Sequence, residues 1–80
     1  MTVGQAVALR IEQLCEQYNL TLNKLANICG ITQSTLNNIV NTGSKNPTVS
    51  TVKKICDGLN ISLSDFFNTE LFNNLEQEIK

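Results

Sequence analysis

Cys15, Cys29 and Cys56 are the chain's three thiols, and there is no histidine to work beside them. None of the three stands at a C-x-x-C spacing, and an odd set cannot pair completely. Without histidine, Cys-His and Ser-His catalysis and the usual mixed zinc sites are excluded by residue type. The thiols lie at or beside apolar positions and read as reduced, mostly buried small hydrophobes. No phosphate-cradling glycine-rich loop and no carboxylate pair in a plausible pocket appears, so neither enzyme activity, a metal nor a cofactor is expected. The chemistry the chain does offer is hydrogen bonding by neutral groups. The stretch "GITQSTLNNIVNTGSKNP", Gly30 to Pro47, holds one charged residue, Lys45, and no aromatic. At about 100° per residue, a helix over its first half puts Leu36, Ile39 and Val40 on one side. Ser34, Asn37, Asn38 and Asn41 fall on the other, with Gln33 at the edge. Asn and Gln each present a donor and an acceptor together.

The elements that must position this face follow from periodicity and caps. Val3, Val7, Ile11, Leu14 and Tyr18 mark one face of a first helix, from Thr2 or Val3 to Tyr18. Thr21 caps a short second helix with Leu22, Leu25, Ala26, Ile28 and Cys29 as its apolar positions, and Gly30 ends it. Thr32 caps the third helix, about residues 33–41. "NTGSKNP" is a loop. Thr48 caps a fourth helix with Val49, Val52, Ile55, Cys56 and Leu59 facing inward, and Asn60 stops it. Ser62 and Asp65 stand at capping-box spacing and open a fifth helix that buries Leu63, Phe66 and Phe67. In the tail, Leu71, Leu75 and Ile79 share a line with Phe72 beside it, a pattern that could form a sixth helix. No strand-like alternation, repeat or low-complexity segment appears.

Eighty residues make one small domain. The longest apolar run, Ala6 to Leu9, is too short for a membrane span and there is no basic start, so a cytoplasmic protein is expected. The formal net charge is −1, but its distribution is uneven. Between Gln17 and Cys56 there is no acid, while Lys24, Lys45, Lys53 and Lys54 all lie there. Five acids and one lysine follow from Asp57 to Lys80. The middle of the chain therefore offers an anionic partner a positive local field.

From about Leu9 to Phe67 the sequence resembles the lambda-repressor-like helix-turn-helix domain of phage repressors, Cro proteins and bacterial regulators. The resemblance rests on "LTLNKLANICGITQSTLNNI" and "NPTVSTVKKICDGLNISLSDFF". Ala26 sits where two helices cross, Gly30 at the turn, and Ile31 where a hydrophobe pins that turn. The resemblance implies an all-α, compact five-helix domain over residues 1–68. Residues 69–80 would be a tail or helix available for a dimer contact. It implies a transcriptional regulator that binds double-stranded DNA, with helix 33–41 in the major groove and no catalysis. Base contacts would come from Gln33, Ser34, Thr35, Asn37 and Asn38, since Gln and Asn can pair with adenine's N6 and N7. Phosphate contacts would come from Thr21, Asn23, Asn41, Ser44, Lys45 and Asn46. Family members usually act as dimers, so a homodimer on DNA is the expected protein contact; some serve as antitoxins, which makes a protein-interaction module with a toxin or antirepressor partner the alternative reading.

Three positions depart from the family pattern. Leu22 replaces a Gln that commonly bonds a phosphate. The loop after the third helix is one residue longer than in many members. Cys15 and Val40 replace a buried Arg–Glu pair, and exchanging both partners for apolar groups avoids stranding a charge, which would cost about 3–5 kcal/mol. Cys15 and Val40 are expected to meet in the core.

Overall fold

The computed structural model describes residues 1–41 and 47–79. Five α-helices follow in order: α1 (Val3–Tyr18), α2 (Leu22–Cys29), α3 (Gln33–Asn41), α4 (Val49–Leu59) and α5 (Leu63–Phe67), then a 3-10 turn, Glu70–Phe72. The architecture is the all-helical one expected, and among the described residues there is no strand.

Short side chains decide where each helix starts. Thr2 accepts from the Gln5 amide at 3.1 Å while the Gln5 side chain accepts from the Thr2 amide at 2.9 Å, closing a capping box. Thr21 accepts from the Lys24 amide and Thr48 from the Thr51 amide. Ser62 and Asp65 form a second reciprocal box. Each such cap satisfies amides that would otherwise lack a partner, a contribution of about 1 kcal/mol.

Three helices end by one device. Asn19, Gly30 and Asn60 each take a left-handed conformation, at φ 57°, 68° and 58°. The next residue then donates its amide back five residues: Leu20 to the Cys15 carbonyl, Ile31 to that of Ala26, Ile61 to that of Cys56. These three hydrophobes all pack against the core, so each turn is anchored by apolar contact as well as by hydrogen bonding.

The core is one cluster built from Ile11, Leu14, Leu25, Ala26, Leu36, Ile39, Val52, Ile55, Cys56 and Phe66, among others. α2 packs on both α3 and α4, and α1 packs on α3. The α2–α4 seam is close. A Cβ added at Gly58 would lie 2.4 Å from Cys29 Sγ and 3.1 Å from Cys29 Cα. The absence of a side chain there lets the Cys29 thiol reach the Ile55 carbonyl at 3.8 Å.

Four expectations need correction or completion. Val49 does not face inward: standing in the first turn of α4, it is 74% exposed. Phe67 is 40% exposed rather than buried, while its neighbour Phe66 is fully buried. Among its described residues the tail forms no sixth α-helix but a 3-10 turn, capped by Thr69. Its Phe72 packs back, with ring centroids 4.8 Å from Phe67 and 6.2 Å from Phe66. The tail also returns to the chain start, where the Glu76 amide donates to the Met1 carbonyl. Cys15 is buried and Val40 half-buried within the same cluster, so neither stands in solvent. Val40 lines a groove with Ala8, Leu9 and Glu12 of α1.

Candidate nucleic-acid interface

α2 and α3 are joined by Gly30, Ile31 and Thr32. Gly30 turns the chain, Ile31 holds the turn to the core, and Thr32 accepts from the Thr35 amide at 3.2 Å to start α3. Leu36 and Ile39 then bury the inner side of α3. With that side fixed, the register of the outer side is fixed too. Gln33, Ser34, Thr35, Asn38 and Asn41 are exposed along it, and Asn37 is half-buried at its margin. All expected base-contacting residues are thus brought onto one short helix, and α3 carries no charged residue.

The surrounding groups divide sharply. Thr21 and Asn23 are exposed in and beside the first turn of α2, and Asn41 is exposed at the end of α3. Ser44, Lys45 and Asn46 lie outside the described residues. Lys24 and Lys54 are exposed. Lys53 is hydrogen-bonded to Asp57 one turn along α4, and that bond and charge raise its pKa. Among the described lysines, Lys53 is the one paired with an acid.

Arg10 has a role that spacing alone did not reveal. Its Nε donates to the Phe66 carbonyl at 2.7 Å and one terminal nitrogen donates to the Asp65 carbonyl at 2.9 Å. Its guanidinium lies 6.0 Å from the Phe66 ring centroid. The chain's one arginine thus ties the C-terminal end of α5 to α1, bonding the Phe66 carbonyl and sharing the Asp65 carbonyl with the Asn68 amide. The clue available in the sequence was that it is the one basic residue in a helix whose other charges, Glu12 and Glu16, are acidic.

The thiols are all free and buried. Burial is the main cause that pushes each upward in pKa, helped at Cys15 by Glu12 and at Cys29 by the other two thiols. Protonated, enclosed thiols are poor nucleophiles and poor metal ligands. Among the described residues no cluster of His, Cys, Asp or Glu could hold a metal ion, and no helix is long and apolar enough to cross a membrane.

A helix-turn-helix family model matches residues 11–66. The chain is also similar to a solved structure described as "Crystal structure of the prophage Lp1 protein 11". The two share 39% identity and a TM-score of 0.81, over 94% of this chain and 99% of that one. No match was found among curated protein sequences.

Proposed function

The chain belongs to the helix-turn-helix family, and from that premise we propose that it is a sequence-specific regulator of transcription that binds double-stranded DNA through α3. One observation carries the reading: α3 is anchored by Leu36 and Ile39 and turns a row of uncharged hydrogen-bonding side chains outward. A charged face would grip any duplex by its phosphates. Amides and hydroxyls can match base edges in the major groove. Gln33, Ser34, Thr35, Asn37 and Asn38 read bases. Thr21, Asn23 and Asn41, with the loop residues Ser44, Lys45 and Asn46, meet phosphate. The prophage origin of the similar structure supports a repressor-like role of phage type.

So few cations give weak monomer binding, since affinity for DNA scales with phosphates neutralised. Two copies on half-sites roughly 34 Å apart would supply the rest. Ile79, 88% exposed, and the Val49–Phe67 face are among the exposed apolar groups that could serve such pairing.

The reading is tested by titrating the protein onto the DNA upstream of its own gene, against random competitor, at several salt concentrations. Specific binding that weakens shallowly with salt is expected, because few phosphates are neutralised. A folded protein that binds no DNA at low salt contradicts it.

A further inference from the structure

The two purines ask for different readers in the major groove. Guanine shows two acceptors, O6 and N7, and is matched by the paired donors of Arg or by Lys. Adenine shows a donor, N6, beside an acceptor, N7, and is matched by the amide of Asn or Gln. The described residues supply the second kind of reader and withhold the first. α3 carries no charged residue. Arg10, the chain's one guanidinium, is held at the Phe66 and Asp65 carbonyls of α5. Lys53 is paired with Asp57. Lys24 and Lys54 are exposed but stand on α2 and α4. Against this, four of the nine residues of α3 are amides: Gln33, Asn37, Asn38 and Asn41. Gln33 and Asn37 are about 40° apart round the helix and one turn apart along it, so they share a flank.

We propose that the duplex this chain selects is specified by A·T pairs on the flank of α3 that holds Gln33 and Asn37, with adenine opposite each of the two; this rests on α3 reading DNA. The discrimination comes from the amide itself. It carries NH2 on one side and oxygen on the other, and adenine's N7 and N6 complete both bonds at once. Turned toward guanine, the amide can give its NH2 to O6 or to N7. Either way its oxygen meets the second acceptor, lone pair against lone pair. Thymine and cytosine each offer one polar group at that edge, so an amide makes one bond there. Ser34 can give or accept and sets no such preference. The absence of charge on α3 thus has a consequence for sequence as well as for affinity: guanine has no paired donor to meet on this helix.

The experiment has two arms. The full chain and its Gln33→Arg variant, the latter first checked for helicity by circular dichroism, each select bound sites from a randomised duplex library. The wild-type site is then remade with 7-deazaadenine or 7-deazaguanine, which lack the N7 acceptor, one position at a time. The most constrained pairs are expected to be A·T. A single 7-deazaadenine at such a pair should weaken binding about five-fold or more, since it removes one of two bonds. A 7-deazaguanine anywhere in the site should change binding less than about two-fold. Gln33→Arg should move one pair from adenine to guanine and leave the rest of the site as it was. A site fixed by G·C pairs and weakened by 7-deazaguanine overturns the proposal while leaving the DNA reading intact. A·T pairs indifferent to 7-deazaadenine overturn it too, because groove shape and not the amides would then be choosing them. A Gln33→Arg variant that selects the wild-type site removes Gln33 from the assignment. A wild type that selects no site at all overturns the DNA reading itself, and this proposal with it.

Discussion

The α2–α4 seam and the outer face of α3 lie one turn of chain apart, and opposite constraints shaped them. In the seam, residue types follow from space. Gly58 has no side chain because Cys29 occupies the place one would take, and Cys29 is small enough to sit against the Ile55 carbonyl. On the outer face of α3, among the described residues, no hydrogen bond ties the exposed Gln33 or Ser34 to the rest of the fold. Alanine would suit the helix as well or better. Exposed side chains such as Gln33 and Ser34, which cost little to change for folding, are the ones the DNA reading would use. The difference between the regions predicts that substitutions in the seam move stability, and those on the face move binding.

The largest expected effect is in the seam. Gly58→Val drives branched carbon into Cys29 and should cost about 3 kcal/mol, the upper part of the overpacking range. For a domain this size that lowers Tm by more than about 10 °C in a thermal melt. Gly58→Ala should cost less, and Cys29→Ala introduced with it should recover part of the loss, because the nearest clash is with Sγ. A Gly58→Val protein melting like the wild type would show that the seam is looser than its contacts imply.

Arg10 extends the same logic to α5. Arg10→Met keeps an apolar stem against Phe66 and loses both carbonyl contacts, which should cost about 1–2 kcal/mol by chemical denaturation. Gln13, which shares only a 3.4 Å contact with Arg10, should matter less.

Alkaline pH sharpens the comparison further. The buried thiols are held above their ordinary pKa, so the unfolded chain loses these protons first as pH rises. Their contribution is complete below about pH 8.5 and falls as pH climbs through and beyond it. Denaturation midpoints measured from pH 7 to 10 should decline, and the decline should be smaller in Cys29→Ala. A midpoint that does not fall over this range would mean the thiols ionise equally easily folded and unfolded.

Much of this structure was legible in the sequence because its punctuation is local. Thr21, Thr48 and the Ser62–Asp65 pair start helices by contacts within three residues, and Gly30 and Asn60 stop them by their own backbone preference. The α3 face was legible for the same reason: a three-residue connection and an apolar stripe at Leu36 and Ile39 fix its register. What escaped was long-range. Arg10 acts across 55 and 56 residues of chain, and the Gly58–Cys29 approach joins two helices with no shared pattern. Val49 fits the apolar periodicity of α4 but lies in its first turn, where nothing covers it. The tail's spacing of Leu71, Leu75 and Ile79 suggested a helix, yet Asn73 and Asn74 fall among them and favour the turn seen. The loop that would carry Ser44, Lys45 and Asn46 stays an expectation.

The central claim is that the outer face of α3 serves DNA and not the fold, and one paired measurement tests it most directly. Gln33→Ala and Asn73→Ala, both exposed amides, are each melted and each titrated onto the wild-type binding site. Both should melt within about 0.5 kcal/mol of the wild type. Gln33→Ala should bind about ten-fold or more weaker while Asn73→Ala binds normally. Equal binding by the two variants, or a loss in Gln33→Ala that follows a loss of stability, would contradict it.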